Sequence, residues 1–288
     1  MVYSNNNLDE DVIKQINKEI ALINQDYSLT APGCLRDEIF ELLEKVGTLI
    51  FHPLNEKNLW GIYICKNEKH YFLINSSIER EKQVFAAAHE LAHSLDIANM
   101  KFEFVTADLM TEYVNNKDFG SKIEKVDLIA NRFAAELLVG YRRLVEKYNE
   151  LPASYNLKVK AVILSDIFLV PYKTIIKRFI ETGLITDKDE IETLIHLDDD
   201  QIKAIAERHE CCRRNYEINE EKRLGGYVNK ALMLYEHELS TYKELRDRLE
   251  LLGKTPEDFD VQDTDFDLYE MLRRASEDSG VEDDDDEE

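Results

Sequence analysis

The stretch Val84-Phe85-Ala86-Ala87-Ala88-His89-Glu90-Leu91-Ala92-His93-Ser94-Leu95 constrains this chain more than any other. It sets His-Glu-x-x-His inside a run of helix-compatible residues free of Gly and Pro. On an α-helix, residues i and i+4 lie on one face a turn apart, so His89 and His93 present two imidazoles to one point. Glu90 stands beside them, placed to act as general base on a metal-bound water. Val84, Phe85, Ala88, Leu91, Ala92 and Leu95 supply an apolar face to bury such a helix. The spacing therefore predicts a catalytic zinc site. The alternative is a helix that carries two histidines for packing alone.

A hydrolytic zinc site takes three protein ligands and one water, so a third ligand has to come from elsewhere. In the helical stretch 124–138, Asp127, Ala130, Asn131 and Ala134 share one face at i, i+3, i+4 and i+7. Alanines on that face allow close approach to the metal helix. Asp127 is then the candidate third ligand, and Asn131, one turn on, can hydrogen-bond a ligand imidazole. Glu124, on the same face, is held in reserve. Glu136, nine residues after Asp127, is expected to face away and be solvated.

Residues 9–26 and 34–46 read as amphipathic helices, the second ended by Gly47. The period then changes. Residues 48–53 read as a strand stopped by Pro53, and 61–65 and 71–75 as two further strands joined by a polar loop, 66–70. Ser76 or Ser77 is the expected cap of the metal helix. Residues 100–121 suggest a loop over the site, and the helical period returns over 123–148. Beyond Pro152 come shorter helices, then a long amphipathic one over 227–252. The tail is acidic, with a short helical stretch at 266–275 and a disordered end. Four segments follow: an N-terminal helical extension, 1–33; a metal-binding domain, 34–150; a helical region, 151–252; and a tail, 253–288.

Lys and Arg number 36 against 59 Asp and Glu, a net charge of −23. Such a surface repels nucleic-acid phosphates and anionic membranes, so direct nucleic-acid binding is not expected. The pattern at 165–185 resembles a helix-turn-helix, but its cations are only Lys173, Lys177 and Arg178, and packing is the better reading. The four cysteines show no disulfide framework, and His209, Glu210, Cys211, Cys212 and His237 match no zinc spacing. With no secretory leader and no apolar run of membrane-spanning length, a cytoplasmic location is expected.

His89-Glu90-Leu91-Ala92-His93 followed by Ala130-Asn131-Arg132-Phe133-Ala134-Ala135-Glu136-Leu137-Leu138 resembles the ImmA/IrrE family of metallopeptidases. So does the approach to the motif, Gly61-Ile62-Tyr63 and then Tyr71-Phe72-Leu73-Ile74-Asn75-Ser76-Ser77. The likeness covers about residues 34–140, with a weaker echo of a winged-helix fragment over 161–185. Asp127 stands where the family commonly has Glu, one methylene longer, and Val139-Gly140 where it often has Met-Pro.

The resemblance implies a mainly helical α+β, zincin-like fold, with a small twisted sheet packed on the metal helix and helices after it. It implies a zinc endopeptidase with one Zn2+ per chain, held by His89, His93 and Asp127. The substrate would be a protein, usually a helix-turn-helix repressor whose cleavage switches on a mobile element, stress or defence operon. An edge strand at Phe72, Ile74 and Ser76 is expected to bind the substrate by strand addition. For the oxyanion, Tyr141, Arg142 and Tyr172 stay open. The rival reading is a partner-binding regulator whose zinc site is structural or degenerate.

Overall fold

A computed structural model describes residues 8–95, 117–211, 218, 223–224 and 226–262. The chain forms two compact units, divided between Arg223 and Leu224. The fold is α+β and mainly helical, with a small mixed sheet.

In the first unit, α1 (Glu10–Asp26) and α2 (Glu38–Val46) put Ile16, Ile23, Ile39, Phe40, Leu42 and Leu43 into the core. The chain then enters β1 (Thr48–His52), β2 (Gly61–Lys66) and β3 (Lys69–Asn75). Alternation buries Leu49 and Phe51 from β1 and Phe72 and Ile74 from β3, and Asn75 at the end of β3 is buried as well. β1 pairs with β3 in parallel, and β2 with β3 antiparallel, in the order β2-β3-β1. The β2–β3 turn is tighter than expected. Lys66 pairs with Lys69, and Asn67 and Glu68 alone make the turn, at φ 52° and 62°. That is the doubly left-handed geometry which suits the twist of a two-residue hairpin.

The metal helix is α3 (Arg80–His93). Its N-cap is Glu79, with no side-chain cap, rather than Ser76 or Ser77. Ser76 is instead buried at the end of β3. Burial on α3 extends past the expected stripe to Ala86, Ala87 and Glu90, because this helix is covered by the sheet and by a second helix, α4 (Lys117–Leu138). The expected helix over 123–148 breaks at Gly140, where α5 (Tyr141–Glu150) begins. The close approach of Gly33 and Gly140 explains the break: Gly140 N–H donates to Gly33 O at 3.1 Å, and a methyl group on either residue would meet the other's backbone.

α6 (Leu157–Phe168), α7 (Tyr172–Glu181), α8 (Lys188–Ile195) and α9 (Asp199–Arg208) complete the unit. One core runs from Ile16 to Cys211, so the boundaries expected at 33 and 150 do not divide the packing. The helix-turn-helix pattern is used for packing: Arg178 is buried with Tyr172, Ile175, Ile176 and Phe179.

The second unit corrects the single helix expected over 227–252. It holds α10 (Tyr227–Glu236) and α11 (Tyr242–Glu250), packed through Ala231, Leu245 and Leu249. Glu238 at φ 57° ends the first helix, and a Thr241–Glu244 capping box starts the second. The expectations for 100–116 and 266–288 lie outside the described residues. Among the described residues, no helix is long and apolar enough to cross a membrane.

Asn75, fully buried, sets where β2 begins. Its Oδ1 accepts from Leu54 N–H at 3.0 Å and Ser77 N–H at 2.9 Å, and its Nδ2 donates to Glu56 O at 3.2 Å and Leu59 O at 2.8 Å. Asn75→Ala leaves these backbone groups without that partner. It is expected to cost about 3 kcal/mol of stability, read as a lower urea midpoint at unchanged m-value.

Candidate metal centre

Packing of α3 on α4 assembles the site. Ala88 and Ala92 on α3 and Ala130 and Ala134 on α4 are all fully buried, and small side chains here let the helices approach closely. His89 and His93 point the same way, with their Nε2 atoms 2.9 Å apart. Asp127 Oδ1 lies 3.9 Å from His89 Nε2 and 3.7 Å from His93 Nε2. Ligand atoms around a tetrahedral zinc at ordinary bond lengths stand about 3.3 Å apart. The three separations bracket that value, so the donor set fits a zinc-sized cation. Among the described residues, His89, His93 and Asp127 are the one such group of His, Cys, Asp and Glu. The side chain of Glu124 lies outside the described residues.

The electrostatics suit metal ligation. Burial lowers the pKa of His89, against the opposing pull of Asp127 and Asn131. Burial and the neighbouring His89 bring His93 down to about 3. Both imidazoles are therefore neutral at ordinary pH, and their contacts with Asp127 are not ion pairs. Asn131 Oδ1 lies 3.1 Å from His89 Nδ1. An Nδ1–H donated there leaves the Nε2 lone pair directed at the cluster. Asp127 is half-exposed, and burial still raises its pKa.

Glu90 is buried beside β2. Burial, with the charge of Asp127 adding, pushes its carboxyl up to about 8, against a backbone hydrogen bond from Tyr63. Gly61 makes this seat: a methyl group there would lie 2.9 Å from Glu90 Cγ and Oε1. Nothing in the motif spacing pointed to Gly61 or to the Tyr63 amide. A glycine opening a β-rich run was the one available signal.

The expected substrate strand is corrected. β3 lies inside the sheet, hydrogen-bonded to β1 and β2, and Phe72, Ile74 and Ser76 are fully buried. Among the described strands, the edge on this side is β2. Trp60 O accepts Asn75 N–H at 2.9 Å, so ladder alternation turns Ile62 and Ile64 towards β3. The backbone groups of Gly61, Tyr63 and Cys65 then face outward, where Glu90 meets the Tyr63 amide. Of the oxyanion candidates, Tyr172 is committed elsewhere: it is buried and donates to Leu194 O at 3.1 Å. Glu136 is not solvated but paired with Arg132 and Arg178.

Among curated proteins, the chain is similar to the radiation response metalloprotease IrrE of Deinococcus deserti, 32% identical over 114 residues. The match covers 39% of this chain and only 36% of that protein's length. No family profile and no solved structure matches. The likeness is distant and partial. It suggests a metalloprotease and, at most, kinship with the ImmA/IrrE family.

Asn131→Ala removes the group that orients His89. It is expected to weaken zinc binding about tenfold while leaving the helical circular dichroism unchanged, as measured by competition with a chromogenic chelator.

Proposed function

We propose that this chain is a zinc-dependent endopeptidase whose substrate is a DNA-binding transcriptional repressor, cleaved to switch on a stress, defence or mobile-element operon. The observation that carries the peptidase reading is the convergence of His89, His93 and Asp127 beside the buried carboxyl of Glu90. The distant likeness to a metalloprotease supports it. The repressor rests on the family resemblance of the motifs. It also agrees with charge: a chain of net charge −23 attracts a basic DNA-binding protein better than it attracts DNA.

In this reading His89 and His93 offer Nε2 lone pairs and Asp127 a carboxylate oxygen. A zinc ion held by them would supply Lewis-acid polarisation of the scissile carbonyl and would acidify a water beside it. Burial and Asp127 favour the protonated Glu90 carboxyl, and the charge of a bound zinc would favour its carboxylate form. As the carboxylate, Glu90 would take a proton from the attacking water and pass it to the leaving amine. The outward backbone of Gly61, Tyr63 and Cys65 receives the substrate as an added strand, which draws the scissile bond past Glu90. Asn131 holds His89 in the tautomer that ligation needs.

Elemental analysis of the purified protein is expected to find about one zinc per chain, lost in His89→Ala and reduced in Asp127→Ala. Glu90→Gln is expected to keep its zinc and to cleave a helix-turn-helix repressor at least about a hundredfold more slowly. A wild type that takes up no zinc when supplied with it would overturn the metal reading. Zinc bound with no Glu90-dependent cleavage would favour the partner-binding regulator.

A further inference from the structure

Four charged side chains meet where α4 passes α7. Arg178, on α7, is 1% exposed. Its Nη1 lies 2.7 Å from Glu136 Oε2 and 2.9 Å from Glu181 Oε2, and its Nε donates to Val139 O at 3.0 Å. Arg132 closes the ring, 3.1 Å from Glu136 Oε2 and 2.9 Å from Glu181 Oε1. Two cations and two anions balance, so no uncompensated charge is buried. Such a set is nevertheless a weak source of stability, since apolar side chains of similar volume do as well or better in its place. Directional ion pairs of this kind are better suited to fixing how elements are registered.

The element they register is the one that carries half of the metal centre. Arg132 and Glu136 belong to α4, and Val139 follows its last residue. Asp127 and Asn131 lie on the same helix, and Asn131 is the immediate neighbour of Arg132. The α3–α4 contact is close because alanines face each other across it, and the directional contacts at the far end of α4 come from the ion network. A guanidinium fork supplies what alanines lack: several N–H donors in fixed directions, here divided between two carboxylates and a helix-terminal carbonyl.

We propose that Arg178 is a positioning residue for the metal centre. Shared between Glu136, Glu181 and the Val139 carbonyl, it fixes the axial register and rotation of α4. It thereby fixes the place of Asp127 and Asn131 relative to His89 and His93. The inference rests on reading that cluster as a zinc site. Zinc–ligand bond lengths stay within about 0.2 Å of their usual values, so a slip of α4 larger than the Asp127 side chain can absorb costs affinity before it costs fold.

The test is zinc affinity of the full chain, by chelator competition, for wild type, Arg178→Met and Arg178→Lys, each with and without Asp127→Ala. Circular dichroism at the assay temperature checks that each variant is folded. Arg178→Met is expected to weaken zinc binding about 10- to 100-fold. Arg178→Lys, which keeps the charge but not the fork, should fall between it and wild type. In the Asp127→Ala background the Arg178→Met effect should shrink to the part carried by Asn131, because the ligand it places is already gone. The same loss in both backgrounds would make Arg178 merely structural, and no loss in a folded Arg178→Met would also overturn the proposal. If Arg178→Met does not fold, Glu181→Gln removes one arm of the network and is expected to show the same background dependence at smaller amplitude; the same loss in both backgrounds, or none, would overturn the proposal. A wild type that binds no zinc would sink the metal reading itself, whereas zinc held equally by wild type and folded Arg178→Met would sink only this inference.

Discussion

The close packing of α3 against α4 is the contact on which the rest depends. Neither helix makes a site alone. α3 offers two neutral imidazoles, and α4 offers a carboxylate and an amide on one face. Burying neutral polar groups is tolerable only if each finds a partner. Here Asn131 faces His89 Nδ1, and the two Nε2 atoms face each other beside Asp127. The alanines are a condition of that geometry. Larger residues at 130 and 134 would hold the helices apart, and Asp127, one methylene shorter than Glu, would not reach.

The sheet contributes the other wall. The loop from β1 to β2 is tied to the end of β3 by a single buried amide, Asn75, so β2 starts at a fixed height beside α3. Gly61 then lets the strand backbone come against Glu90 without a side chain between them. The edge strand and the Glu90 carboxyl are thus set by the same few atoms. The buried Glu90 carboxyl therefore meets the outward-facing Tyr63 amide of that edge strand.

Helical periodicity was enough to place His89, His93, Asp127 and Asn131 on facing helices, because the residues that meet there lie within two short, regular stretches. What failed to show was anything decided by a distant partner. The β-rich run at 71–75 looked like an edge because its neighbour in sequence, 61–65, pairs on one side only. Its second partner, β1, joins in parallel across an intervening strand, and a parallel pairing leaves no turn signal between its members. Glu136 looked solvated because it faces away from Asp127 on its helix, and an i, i+4 pair with Arg132 is as compatible with a solvated face as with a buried one. Arg178 and Glu181 arrive on a helix some forty residues later, and only folding brings them together. The helix expected over 227–252 kept its apolar period through a break that contains neither Gly nor Pro. The break is made by a left-handed Glu238 and a capping box instead.

The helix α4 carries two patterns with the same spacing and different uses. Asp127 and Asn131 form one i, i+4 pair turned to the histidines, and Arg132 and Glu136 form another turned to Arg178. A helix rises 1.5 Å per residue, so Asp127 stands about 18 Å from the anchored carbonyl of Val139. Over that length an α-helix behaves as a stiff rod, with one rotation and one translation left to fix. The Gly33–Gly140 backbone hydrogen bond and the Arg178 fork act at the same end of it. A side chain at one end of a rod is placed by what grips the other, so the helices after α4 belong to the architecture of the candidate metal centre and are not an appendage to it.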